Sequence, residues 1–139
     1  MVKEDMWFWY YSDEINLLNS RKMGKWMYFF TDQEFAKQIC QKAINEGVCY
    51  ECKCTNMKAQ NKPTGVVCFY LNKDDVDNHK RVIQFMIDNN LIQRTKTGKL
   101  YNISFKLDTQ TRLHQYGNEF TGEIKLDQFV DLYTKEFII

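Results

Sequence analysis

The sequence has few of the residues that interrupt helices and strands: one proline and six glycines among 139 residues. It therefore contains no linker, repeat or low-complexity segment that would mark a domain boundary. A chain of this length can bury a sizeable core, so we predict a single domain over residues 1–139. No apolar run reaches the 18 residues of a membrane helix, and no signal-peptide pattern is present. We predict a cytoplasmic protein with no membrane partner.

The sequence also lacks an excess of either positive or negative charge, since its formal net charge is +1. A general nucleic-acid-binding protein would be strongly basic, so this class is disfavoured. The sequence has no phosphate loop and no Rossmann glycine pattern. These absences leave no enzyme class or cofactor indicated by a motif, and we predict no cofactor.

Cysteines are present, but not in the pattern of a disulfide scaffold. The chain has five cysteines, an odd number, and their spacing is not that of a disulfide framework. Both features agree with a protein of a reducing compartment. The spacing of Cys49, Cys52 and Cys54 is close to that of a zinc site. On a strand, however, Cys49 would point away from the other two, so the three could not bind one ion. We predict free thiols and no metal.

Aromatic residues are abundant, at 15% of the chain. Residues 6–11 read as a strand with Trp7, Trp9 and Tyr11 on one face. Residues 24–30 read as a second aromatic strand, which contains Trp26. The core accounts for one face of each strand, and the other face offers a stacking surface. Trp9 and Trp26 are therefore candidates to stack on a base.

A polar strand face suggests where an anion would bind. Residues 100–108 alternate, with Phe105 on the apolar face and Lys106 on the polar face. Thr111 and Arg112 follow, and Lys53 lies on the polar face of another predicted strand, 48–55. Such a row of donors suits a phosphate. The alternative is a solvated face with a weak surface ion pair.

Two helices complete the predicted fold. Thr31 and Glu34 form a capping box that opens a helix ending near Glu46, and Asp74 and Asp75 open a second helix that ends near residue 89. With the strand order, this pattern predicts an α+β fold. Its sheet would be curved and mostly antiparallel, with both main helices packed on one face. The other, concave face would be left for a ligand.

Residues 7–116 resemble the fold family of the mRNA cap-binding initiation factor. The shared features are a tryptophan-rich first strand, a Gly24-Lys25-Trp26 strand that leads into a helix, and a basic residue at Lys53. The closer similarity is to a small uncharacterised branch of that fold, through Phe105-Lys106-Leu107-Asp108 with Thr111 and Tyr116 nearby. The resemblance implies a phosphate-binding role for Lys53. The long loops that hold the cap-stacking tryptophans differ here, so the RNA cap is a less favoured ligand.

A weaker resemblance is to bacterial phosphothreonine lyases. These enzymes use a strand lysine as the base of a β-elimination, in a setting like Lys53-Cys54-Thr55-Asn56-Met57. Their general acid is a histidine on the strand that residues 24–30 would match, and this strand has none. His114 would have to protonate the leaving oxygen instead.

These observations predict a protein that binds a phosphorylated ligand on the concave face: a nucleotide, a nucleotide-derived signal or a phosphopeptide. The alternatives are a lyase-like enzyme that uses Lys53, and an interaction module whose aromatic edge binds a protein. The oligomeric state is not predicted. The candidate ligand-binding residues are Lys53, Lys106, Arg112, Thr111, Tyr116, Trp26 and Trp9.

Overall fold

The computed structural model describes residues 2–108 and 124–139. The strands within these ranges are β1 (Val2–Glu4), β2 (Trp7–Tyr11), β3 (Met23–Phe30), β4 (Glu51–Thr55), β5 (Gly65–Asn72), β6 (Ser104–Leu107) and β7 (Ile124–Lys125). The α-helices are α1 (Gln33–Asn45), α2 (Met57–Gln60) and α3 (Val76–Asp88). Single 3₁₀ turns lie at Ile15–Leu17 and Leu126–Gln128.

The strands form one sheet in the order β1-β2-β4-β5-β3-β6-β7, which does not close into a barrel. All of the pairings are antiparallel. Strand β5 lies at the centre, and it is buried on both faces from Val67 to Leu71. This position agrees with its sequence, which has apolar residues on both sides of the pleat.

Both long helices begin at an aspartate. Asp32 caps α1 by accepting a hydrogen bond from the Phe35 amide at 3.2 Å, and Asp75 caps α3 by accepting one from the Asn78 amide at 3.1 Å. A cap of this kind satisfies an amide that has no partner within the helix. The prediction for α3 is thus confirmed, whereas the predicted cap at Thr31 was wrong by one residue.

Both helices pack on the same face of the sheet, and the predicted α+β arrangement is confirmed. Alternation in β2 and β4 directs Tyr10 and Cys52 to this face, while the register aligns Cys52 with Phe69 and Phe69 with Trp26. Helix α1 adds Ile39 and neighbouring residues to the core. Helix α3 adds, among others, Val82, Ile83 and Met86, each fully buried.

Several element boundaries differ from the predictions. Strand β4 begins at Glu51, so Cys49 lies before it rather than within it. The strand predicted within residues 100–108 begins only at Ser104. Residues 91–95 form no strand, and the structure has there only an isolated bridge between Arg94 and Leu100. Boundaries of this kind depend on pairing partners, which sequence alternation does not specify.

Candidate functional site

Strand register brings three lysines to one face of the sheet. Lys53 on β4 lies opposite Cys68 on β5, and Lys25 on β3 lies opposite both Tyr70 on β5 and Lys106 on β6. Directly paired residues point to the same side of a sheet, as do residues two apart along a strand. All three lysines therefore lie on the side opposite α1 and α3. We call this side the lysine face.

The Lys53 ammonium lies between two indole rings. Its Nζ is 3.9 Å from the ring centroid of Trp7 and 4.6 Å from that of Trp9. Each contact of this kind stabilises a cation by about 0.5–2 kcal/mol. Within the described ranges, no carboxylate oxygen lies within the 4.0 Å of an ion pair with Lys53. Burial lowers the pKa of Lys53, and the nearby positive charge of Lys25 lowers it further.

The other two lysines are cross-strand neighbours, an arrangement that is destabilising for like charges. Asp108 relieves this repulsion, because its Oδ1 lies 3.1 Å from Lys25 Nζ. The side chains of Lys25 and Asp108 are only 12% and 22% exposed, respectively. Burial lowers the pKa of Lys106, and repulsion from Lys25 adds to this effect. Lys25 was not among the candidate residues. The available signal was its charge, because Lys25 is the one charged residue of an otherwise apolar β3.

Two carboxylates accompany the three ammonium groups. Burial raises the pKa of Glu51, against the opposing effect of Lys53. Asp108 acts electrostatically on Lys53, Lys106 and Glu51. The face therefore offers both donors to an anion and acceptors for hydroxyl or N–H groups.

Two buried neutral side chains of β5 lie between the strands that carry Lys53 and Lys25. Tyr70 and Cys68 are both 3% exposed. Burial raises the pKa of the Cys68 thiol to about 11, and it also raises that of the Tyr70 hydroxyl. Both groups are protonated at neutral pH, so neither adds negative charge to the site.

An aromatic wall borders the lysine face along β2. The rings of Trp9 and Tyr11 are nearly parallel, with an interplanar angle of 2° and centroids 6.2 Å apart. Both side chains are partly exposed. Rings held in this way by the two-residue repeat of a strand form a surface on which a planar ligand group can stack.

The structure corrects the assignment of Trp26 as a ligand-stacking residue. Trp26 lies on the helix-bearing face and is fully buried. Its Nε1 donates a 3.0 Å hydrogen bond to His79 Nδ1 on α3. Because Lys25 and Trp26 are adjacent in β3, their side chains point to opposite faces of the sheet. Lys25 therefore lies on the lysine face and Trp26 in the core. Trp26 is therefore a core residue, and it cannot contact a ligand bound beside Lys53.

The remaining candidates fall into two groups. Lys53, Lys106 and Trp9 lie together on the lysine face, as the sequence predicted. Thr111, Arg112 and Tyr116 lie outside the described residues, as does His114, so their predicted roles stay predictions.

The cysteines are unpaired and buried. Cys40 of α1 contacts Cys52 and Cys54 of β4, and Cys49 also contacts Cys52. The alternation argument that separated Cys49 from the other thiols was wrong, because Cys49 precedes β4. In the part of the chain that the structure describes, no group of three or more metal-binding side chains is placed to hold an ion.

Comparisons with known proteins found no matching family model, curated protein or solved structure. Across the described ranges, no helix has the length and apolar character needed to cross a membrane.

Proposed function

We propose that the lysine face binds a small ligand that carries a phosphate group. The observation that supports this proposal most directly is the position of Lys53. Its half-buried ammonium contacts aromatic rings, has no carboxylate within ion-pair distance in the described ranges, and is repelled by Lys25. Burying a charge without an anionic partner costs free energy. A phosphate dianion would supply that partner through charge-assisted hydrogen bonds.

The surrounding groups favour a nucleotide within this class of ligands. Glu51 and Asp108 can accept hydrogen bonds from sugar hydroxyls or base N–H groups, and Trp9 with Tyr11 can stack on a base. A phosphopeptide would use the lysines but would leave the stacking surface without a planar partner. We therefore assign the phosphate to Lys53 and Lys106 and the base to the aromatic wall.

The test is a thermal-shift panel of nucleoside monophosphates, the matching nucleosides and a phosphothreonine peptide. Ligands that bind the folded state raise its melting temperature by mass action. We expect the monophosphates to stabilise the wild type and to lose this effect in Lys53→Met and Lys106→Met. The matched control is Lys62→Met, since Lys62 is an exposed lysine in the loop before β5, outside the strands that carry the lysine face. The proposal fails if no phosphorylated compound stabilises the wild type, or if all three variants respond alike.

A second candidate function is a lyase-like elimination with Lys53 as the base. The specific observation is that burial lowers the pKa of Lys53, which increases the neutral fraction that can accept a proton. The same phosphothreonine peptide distinguishes this candidate. Mass spectrometry would show loss of phosphoric acid from the peptide with wild type and none with Lys53→Met, whereas a binding protein would leave the peptide unchanged.

A further inference from the structure

Among the residues that the structure describes, one edge of β3 has no strand beside it beyond Lys25. The whole of β3, Met23–Phe30, pairs with β5, but β6 pairs with β3 only at Gly24 and Lys25. Beyond Lys25 the two chains separate and leave a groove of about 560 Å³. One wall of the groove is formed by residues 27–29 of β3, and the other by residues 90–94 together with Tyr101 and Ile103.

The outward-facing backbone groups of residues 27–30 have no hydrogen-bond partner in residues 2–108 and 124–139. In a strand, successive N–H and C=O groups point alternately to the two sides, so about half of those in residues 27–30 point away from β5. Within the described ranges, none of these outward groups bonds to another residue. Four residues of free edge span about 13 Å, enough to pair with a short extended segment. Unpaired edges of this kind are templates for an added strand.

The side chains around the groove indicate which segment would fit. Phe29 is 67% exposed and Tyr101 is 46% exposed, and large aromatic side chains with this exposure are typical of interaction surfaces. The walls contain one charged residue, Arg94, and no carboxylate. An apolar segment with one acidic residue would therefore complement both the aromatic contacts and the charge.

We infer that this groove binds a short extended peptide segment of another protein, which adds as a strand to β3. The segment would present apolar side chains at alternate positions towards Phe29 and Tyr101, and an acidic residue towards Arg94. This is recognition by β-augmentation, in which main-chain bonds give affinity and side-chain contacts give specificity. A second copy of this chain, whose β3 edge carries the same free groups, is the alternative occupant that the test below distinguishes.

The experiment begins with a display library of random short peptides selected against the full chain. A selected peptide is then synthesised and titrated by calorimetry and by NMR of the backbone amides. We expect alternating apolar sequences with an acidic residue, and slowed amide exchange at residues 27–30 on binding. N-methylation at alternate peptide positions removes main-chain donors on one edge, so one of the two methylation patterns should weaken binding about tenfold or more.

Variants of the chain assign the site. Phe29→Ala and Arg94→Ala should each weaken binding several-fold. Tyr133→Ala, which removes an equally exposed aromatic residue elsewhere, should not. Lys53→Met should also leave peptide binding unchanged, so this inference and the phosphate proposal can fail separately. The inference is overturned if no peptide is selected, if neither methylation pattern matters, or if light scattering shows that the chain protects this edge by pairing with itself.

Discussion

The Trp26–His79 pair in the core yields a prediction about stability. Trp26 Nε1 donates to His79 Nδ1 at 3.0 Å, and His79 Nε2 lies 2.8 Å from the backbone oxygen of Lys73. An indole N–H can only donate and a carbonyl can only accept. His79 must therefore be neutral with its proton on Nε2. The ring is enclosed by Phe105 and Phe129, with centroids 4.7 and 4.9 Å away, and it is 1% exposed.

Trp26→Phe removes the donor and leaves Nδ1 buried without a partner. An orphaned buried acceptor costs about 1–3 kcal/mol. The smaller ring also leaves unfilled volume, which adds about 1–2 kcal/mol on the scale of core truncations. We therefore expect the free energy of unfolding to fall by about 2–5 kcal/mol, a large part of the stability of a typical domain. Urea denaturation followed by circular dichroism measures this change.

The pH dependence of stability provides a second readout. Burial lowers the pKa of His79, although the Lys73 carbonyl and then Asp75 and Asp74 oppose this effect. The unfolded chain then binds a proton below about pH 6.5, before the folded state does. The contribution of neutral His79 to the free energy of unfolding should be complete above about pH 6.5. It should fall as the pH decreases towards the native pKa, by at most about 1.4 kcal/mol per pH unit. The His79→Gln variant should lack this contribution. Subtracting its curve of stability against pH from that of the wild type also removes the effect of the other histidine, His114.

A double-mutant cycle decides whether the hydrogen bond itself matters. His79→Leu removes the acceptor, so Trp26→Phe should cost about 1 kcal/mol less in that background than in the wild type. If the two costs simply add, Trp26 and His79 are independent core residues and the assigned hydrogen bond contributes nothing measurable. If acidification affects the wild type and His79→Gln equally, the buried neutral histidine is refuted.

Two further substitutions test the sheet and the lysine face. Gly24→Ala would place a Cβ 2.5 Å from the Phe105 ring and 2.7 Å from the backbone oxygen of Lys106, so it should destabilise the fold by about 1–3 kcal/mol, measurable as a lower urea midpoint. An unchanged midpoint would mean that β3 and β6 are not so closely packed. Asp108→Asn keeps an acceptor oxygen for a sugar hydroxyl or base N–H but removes the negative charge that pairs with Lys25 and repels a phosphate, so the affinity for a nucleoside monophosphate should rise several-fold in calorimetry. An unchanged affinity would place Asp108 away from the phosphate, and a weaker one would mean that the ligand needs the carboxylate charge itself.

The sequence alone was sufficient for features that depend on local periodicity. Alternation within a strand assigned Lys53 and Lys106 to polar faces, because successive side chains must point to opposite sides. The Thr31–Glu34 capping box identified α1 to within one residue of its cap, and the acidic start at Asp74 and Asp75 identified α3, since a helix end needs a partner for its free amides. The position of both helices on one side of the sheet followed from the order of the elements.

Other features were decided only by tertiary pairing. Both faces of β3 carry apolar residues, so alternation could not tell which face meets the helices, and Trp26 was assigned to the ligand although it lies in the core. The register between strands placed Lys25 beside Lys106, and it placed Lys53 between Trp7 and Trp9. Register depends on contacts between residues distant in the sequence, and a shift of one residue would move every side chain to the opposite face. The composition of the lysine face is therefore a property of the folded sheet, whereas the presence of lysines on its strands is a property of the sequence.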